Sequence, residues 1–444
     1  MNTKVRNLIR SAMESEQQPD NYINPHLEVD VAPQKSEEYI ESTIADQPAE
    51  AEAFERTEAS VESHIQCLAR ISAAYAGLEA HPFESVDSVS RSTIAFGLEA
   101  AMSNSQVDMT EQVTKIKEES GEKNKAQVGN SVVEAAKKIL KRIVEFMVAL
   151  FRRVQDFLLK LMGAGTQMRV RGKRILADIA KRNTTVAQTA DTIEAGDIAK
   201  NLAVGDQPPS TDATEVVKLL LAASNATIQL DGAMVEAYDR ELNLIRAGLK
   251  DNDAGKLNEA MSSELQPGQT FKPYTPETAP KSAGRNDSSL PGTYYRSATM
   301  PGNKFVSLGY QPIVRDGVYF GVQYQVSLES EGGDKAGADL PTELKAMTSD
   351  EITAAVAELD KLVENLKISQ RIVQRLRSTS GHISTLQQMV ATPTGAEVVS
   401  QFNSRYKAVG QATTLVNTHL VRAGLSILRW ADASLQLYPT KADA

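Results

Sequence analysis

The apolar and polar positions of this chain recur mostly with the period of an α-helix. The clearest stretch is KKILKRIVEFMVALFRRVQDFLLKLM, Lys137 to Met162. Placed at about 100° per residue, Lys137, Lys138, Lys141, Arg142, Glu145, Arg152, Arg153, Gln155, Asp156 and Lys160 fall within an arc of roughly 160°. Ile139, Leu140, Ile143, Met147, Leu150, Phe151, Val154, Phe157, Leu158 and Leu161 fill the other side, and only Val148, Ala149 and Leu159 stray. This predicts a helix with a wide apolar face and a basic opposite face. Gly163 and Gly165 are expected to end it, with RVRGKR (169–174) carrying the basic character into the next helix.

Other segments follow the same period. A helical pattern starts near Glu50 and runs to a break at Pro82; a second runs from Ser85 to about Lys117. Residues 183–206 read as a short helix and loop, and a long helix is predicted over Asp212–Leu249, opening on a Ser/Thr/Asp cluster suited to capping. Helix resumes at Thr348-Ser349-Asp350-Glu351 and continues to about Tyr438, with breaks near Gly381 and Pro393. Between these the period drops to two. Phe305–Val314 and Val318–Leu328 are β-rich, and Arg315-Asp316-Gly317 joins them with a hairpin-turn dipeptide. Residues 15–50, with Pro19, Pro25, Pro33 and Pro48 among many acids, read as largely disordered, and 118–130 as a polar linker.

The fold class is therefore mainly α: an elongated helical bundle with one β-hairpin or small antiparallel sheet inserted before the C-terminal helices. Its expected parts are an acidic N-terminal segment (1–99) and a helical region (100–264) holding the basic amphipathic helix 137–162. A Pro/Gly/Ser-rich excursion (265–303), the β-hairpin (304–330) and a C-terminal helical region (340–438) follow.

Composition removes several kinds of chemistry. The one cysteine, Cys67, allows neither an intramolecular disulfide framework nor a thiolate metal cluster, and its position beside Leu68 and Ile71 suggests burial. His64, His81, His382 and His419 lack ligand spacing. Gly172-Lys173 is followed by Arg174, and the glycine a phosphate loop needs five residues upstream is Gln167. Asp251-Asn252-Asp253-Ala254-Gly255 has its glycine one place early for a calcium loop, and its twelfth residue is Ser262. No catalytic, cofactor-binding or metal-binding residues are identified, and no stretch reaches about 18 uninterrupted apolar residues, the length a membrane span needs. The chain reads as a non-enzyme without cofactors, made in a reducing cytoplasm.

Charge divides the chain unevenly. Residues 1–99 carry 7 Lys+Arg against 18 Asp+Glu, a net of −11, while the remainder carries 41 against 39, a net of +2. Acid concentrated at one end suggests a tail or pro-segment. The basic helix itself admits three readings: a bundle helix with a solvated basic face, a membrane-surface helix, or a face for packaged nucleic acid contacted through phosphates. Its candidate phosphate or partner contacts are Lys141, Arg142, Arg152, Arg153 and Lys160.

The order of features resembles the internal head (inner body) proteins of phiKZ-like giant bacteriophages. An acidic front is followed by Ser88-Val89-Ser90-Arg91-Ser92-Thr93-Ile94-Ala95-Phe96-Gly97-Leu98-Glu99-Ala100, a polar linker and the amphipathic helix. Leu290-Pro291-Gly292 and Met300-Pro301-Gly302-Asn303-Lys304 then lead into the hairpin and a helical C-terminus, so that the resemblance spans about residues 60–440. It implies a structural protein of the virion interior, assembled in the host cytoplasm, whose partners are other head proteins and packaged DNA. It also implies a phage prohead protease that cuts after a small residue, any residue and glutamate. Ala12-Met13-Glu14, Ser60-Val61-Glu62, Gly77-Leu78-Glu79, Gly97-Leu98-Glu99 and Ser327-Leu328-Glu329 match, which makes Glu62, Glu79 and Glu99 the candidate sites for removing an N-terminal propeptide. The rival reading is a membrane-active helical protein, similar to an α-pore-forming toxin, that inserts the amphipathic helix and the hairpin into lipid. The charged hairpin tip Arg315-Asp316-Gly317 argues against it. A coiled-coil scaffold is disfavoured by the lack of sustained heptads.

Overall fold

The computed structural model describes residues 37–46, 83–105, 107–117, 123–204, 212–251, 275–277, 293–315, 318–331, 340–378 and 395–441, with residues 49, 63, 64, 67, 70, 71, 78 and 256. In chain order its elements are α1 (37–46), β1 (Ser85–Val86), α2 (Ser88–Ser105), α3 (Thr110–Lys117), β2 (Lys123–Asn124), α4 (Lys125–Ile179), β3 (Thr192–Glu194), α5 (Gly196–Leu202) and α6 (Ala213–Asp251). There follow β4 (Thr275–Glu277), β5 (Thr293–Arg296), β6 (Lys304–Arg315), β7 (Val318–Ser330), β8 (Glu343–Lys345), α7 (Ser349–Ser378) and α8 (Gly395–Gln436). The fold is mainly α, with small antiparallel sheets.

The amphipathic helix is longer than its pattern suggests. It starts at Lys125, inside the expected polar linker, where the Asn124 side chain accepts from the Ala126 amide at 2.8 Å and caps the first turn. It then runs for 55 residues, about 80 Å at 1.5 Å per residue. Gly163 and Gly165 do not end it. Helix continues through both, with neighbours packed closely along it: a Cβ on Gly163 would lie 2.6 Å from the Tyr39 hydroxyl, one on Gly165 3.4 Å from Leu366 Cδ1, and one on Gly172 only 2.8 Å from Val356 Cγ1. Glycine here is a device for close helix approach, and tertiary packing offsets its poor helix propensity.

The bundle is α4, α6, α7 and α8. Helix α7 packs on α6 and α4, while α8 packs on α6, α4, α7 and the strand β7. Leu161, Ala164, Met168 and Ile175 of α4 meet the buried Ile352, Val356, Leu359, Leu362 and Leu366 of α7 and the buried run from Val416 to Ala431 of α8 within one core. Gly424 of α8 admits the Met168 methyl group, where any Cβ would collide with it. The two predicted helix starts hold. Asp212 Oδ1 accepts from Thr214 N at 2.8 Å, and Thr348 and Glu351 exchange hydrogen bonds at 2.7 and 3.2 Å in a capping box. Trp430 is fully buried and its indole donates to the Lys345 carbonyl at 2.9 Å, tying α8 to β8, which pairs with β3.

One disorder expectation fails. Residues 37–46, within the stretch read as largely disordered, form α1, because Ile40 and Ile44 recur at i,i+4 between Pro33 and Pro48 and both are buried. Cys67 is buried as expected, and burial pushes its thiol pKa up. The pattern over 85–117 divides into α2 and α3, which pack on each other and on α4.

The hairpin forms with the expected strands and gains two more. The sheet order is β4-β5-β6-β7, all antiparallel, so part of the Pro/Gly/Ser-rich excursion supplies β4 and β5. Tyr294 faces Gly309 across the β5–β6 pair, and its ring occupies the space a Cβ there would need. Asp316-Gly317 and Leu290-Pro291-Gly292 lie outside the described residues, as do the breaks near Gly381 and Pro393 and the side chains from 310 to 325.

The sheet is anchored at the Met300–Lys304 turn. Gly302 and Asn303 take positive φ (80° and 61°), and their amides donate to the Ala203 carbonyl at the end of α5, at 2.7 and 3.0 Å. His419 of α8 donates from Nε2 to the Pro301 carbonyl at 2.6 Å. Burial, opposed by that bond and reinforced by Arg422 and Lys304, pushes the His419 pKa down to about 4.

Two predictions follow from this packing. Gly172→Ala is expected to cost about 1–3 kcal/mol by overpacking, whereas Gly97→Ala, in open space on α2, is expected to gain about 0.5–1 kcal/mol; urea denaturation of both variants reads the difference. His419 stays neutral in the fold, so between pH 6.5 and 4 the unfolded chain binds a proton that the folded chain refuses. Its contribution is complete above about pH 6.5 and falls by about 3 kcal/mol as pH drops to 4. The stability of His419→Gln is expected to vary less with pH than that of the native protein across this window.

Candidate phosphate and partner interface

The basic residues singled out in the sequence fall into distinct settings. Lys141 is the most open, its side chain 80% exposed and 4.0 Å from Glu145. Arg142 is also exposed and pairs with the same Glu145 at 2.8 Å. Their i,i+3 and i,i+4 spacing explains both contacts, and each such surface pair contributes only about 0.3–0.5 kcal/mol. These two side chains therefore remain available to an incoming anion at little cost. The side chains of Arg152 and Arg153 lie outside the described residues. Lys160 sits on another part of α4 and pairs with Asp46 of α1 at 2.8 Å.

On the opposite face of the helix, the described side chains Ile139, Phe157 and Leu161 are core. Ile139 is fully buried, Phe157 is 1% exposed and Leu161 is 2% exposed. Phe151 lies among the side chains outside the described set. These three side chains are covered by the protein itself, and among the described residues no helix is long and apolar enough to cross a membrane.

The cations that the pattern missed are Arg171 and Arg429. Arg171, inside RVRGKR, is nearly buried; it pairs with Glu37 of α1 and lies 3.5 Å from Asp432 of α8. Arg429 Nε is 2.6 Å from Glu37 and its Nη2 reaches Glu41. More than 250 residues separate Arg171 from Arg429, and nothing local marks them as neighbours. The available signal was the acidic, amphipathic run Glu37, Ile40, Glu41, Ile44. Tyr39 completes the seat of α1, its hydroxyl standing 2.6 Å from where a Cβ of Gly163 would lie. Arg169, by contrast, is served by α7: Asp360 at 3.1 Å and Glu364 at 2.7 Å.

The candidate cleavage residues are also placed differently. Glu62 and Glu79 lie outside the described residues. Ser63, just past Glu62, donates to the Asn104 carbonyl at 3.1 Å, and His64, Cys67, Ile71 and Leu78 are buried. Glu99 is inside α2, paired with Lys117 at 2.7 Å and flanked by the fully buried Leu98 and Ala101. Gly172-Lys173 lies mid-helix on α4, where the glycine serves packing. No cluster of three or more His, Cys, Asp or Glu suited to a metal occurs among the described residues.

A family model described as phiKZ-like phage internal head proteins matches residues 36–420. No curated protein and no solved structure matches the chain.

Phe157 tests the assignment of the apolar face. Phe157→Ala is expected to cost about 3–5 kcal/mol in thermal or urea unfolding. Native stability in this variant, with loss of binding to anionic liposomes, would move the face from core to membrane.

Proposed function

The chain belongs to the phiKZ-like phage internal head proteins, a structural component of the virion interior, and from that premise we propose that it is packaged with the genome after losing its acidic N-terminal segment. The observation that carries this reading is the charge division. Residues 1–62 hold 5 Lys+Arg and 14 Asp+Glu, and the rest holds 43 of each, so a cut after Glu62 takes the net charge from −9 to 0. Removing net negative charge lowers the repulsion between the protein and a polyanion at high local density.

Of the candidate positions Glu62 fits best. A protease binds its substrate extended, and cutting after Glu99 would require opening α2 next to two buried residues. Cutting after Glu79 would discard Cys67, Ile71 and Leu78 from the core. Cutting after Glu62 gives up only Ile40 and Ile44 of α1, keeps the others and leaves Ser63 bound to α2. The processing enzyme on this reading is the phage prohead protease, and the remaining body meets other head proteins and DNA phosphates, with Lys141, Arg142, Arg152, Arg153 and Lys160 as basic contacts. No catalytic role is assigned to it.

Mass spectrometry of mature heads is expected to recover α2 to α8 and a new N-terminus at Ser63, with no peptide from 37–46. Abundant 37–46 peptides in mature heads would rule this maturation out.

A further inference from the structure

The carboxylates of α1 pair with cations in a specific geometry. Glu37 spreads its two oxygens over two guanidinium groups, one accepting from Arg171 of α4 and the other from Arg429 of α8 at 2.6 Å. Glu41 takes a second nitrogen of Arg429, and Asp46 takes Lys160 of α4 at 2.8 Å. One two-oxygen anion held between two guanidinium groups is also how arginines grip the non-bridging oxygens of a phosphodiester.

The site has need of an anion. Arg171, its side chain 9% exposed, lies beside Asp432 at 3.5 Å and is repelled by Arg429. Without Glu37, Arg171 keeps only that long contact, beside the Arg429 guanidinium, and a nearly buried cation left short of a partner is costly. Arg169 shows the contrast, since Asp360 and Glu364 neutralise it without α1. Lys160 and Arg171 are eleven residues apart on one straight run of α4, about 16 Å, or about five nucleotides of rise along one DNA strand.

We propose that Arg171, Arg429 and Lys160 form a binding site for the phosphate backbone of double-stranded DNA, which α1 occupies in the intact chain with Glu37, Glu41 and Asp46 standing in for phosphates. Opening of the site rests on the proposed removal of residues 1–62. Arginine and lysine contacts of this kind bind without reading sequence, so the site suits any stretch of a packaged genome.

The test makes the cut in vitro. Full-length protein carrying a site-specific protease recognition sequence in place of residues 52–57 is folded, then cleaved, and titrated against a 30-base-pair duplex by fluorescence anisotropy. The α1 fragment is removed by gel filtration, with Glu37→Gln, Glu41→Gln and Asp46→Asn added where it stays bound. Cleavage and removal are expected to tighten binding at least about tenfold at 0.1 M salt and to steepen the log–log salt slope by about two to three. In cleaved protein, Arg171→Gln, Arg429→Gln and Lys160→Gln together are expected to abolish that gain; Arg429→Gln alone, the milder change to the fold, is expected to lower the slope by about one. Equal DNA affinity before and after release of α1 overturns the proposal, as does a gain that survives the triple substitution. Binding of a 36–47 peptide but not of duplex by the cleaved protein overturns it in favour of an acidic protein partner. Because an added protease makes the cut, a gain here alongside intact 37–46 peptides in virions would remove the maturation and leave the site standing.

Discussion

The close approach of α4 to α7 and α8 is the constraint on which the rest of the structure depends. It is possible because Gly165 and Gly172 of α4 and Gly424 of α8 present no side chain where Leu366, Val356 and Met168 must fit. A Cβ on Gly172 would stand 2.8 Å from Val356 Cγ1 and push α4 and α7 apart, and dispersion contacts fall steeply with such gaps. With the helices in contact, the apolar stripe of α4 is filled by α7 and α8, and the same three helices, with α6, form one continuous core. Helix propensity alone would break α4 near Gly163; burial on both sides keeps it continuous to Ile179.

Once α8 is placed, the sheet and the smaller elements have fixed attachments. Its middle turns accept β7 on one side and hold the Pro301 carbonyl through His419. Its C-terminal turns bury Trp430 against β8. The chain end closes on α4: Arg182 bridges Thr440, and the Lys441 amide donates to the Lys181 carbonyl at 3.1 Å. Glycine suits position 302 twice over, by its positive φ and because a Cβ there would lie 2.9 Å from both the Asn201 carbonyl oxygen and His419.

Charge is organised around the same helices. Exposed pairs such as Lys141–Glu145 contribute little and can exchange partners. The pairs between α1 and the Arg171–Arg429 site are different, because they join segments distant in sequence and neutralise a nearly buried cation. The acidity of the first 99 residues is thus both a bulk property of the chain and, at Glu37, Glu41 and Asp46, a set of directed contacts.

The sequence by itself determined the local structure. Alternation of apolar positions at the helical period marked α4, α6 and α7, the Thr348–Glu351 box marked where α7 starts, and period-two alternation marked the β6–β7 pair, because these signals depend on side-chain direction within a few residues. The amphipathic face bearing Phe157 and the segregation of acid toward the N-terminus were legible for the same reason. Only the tertiary structure decided where helices stop and what their glycines do, since Gly163 and Gly165 read locally as breaks and lie inside α4 against Tyr39 and Leu366. It alone brought Glu37 to Arg171 and Arg429, a meeting of residues hundreds of positions apart for which no local period exists. It also turned a proline-flanked acidic stretch into a docked helix, because the apolar surface that buries Ile40 and Ile44 exists only once the bundle has formed.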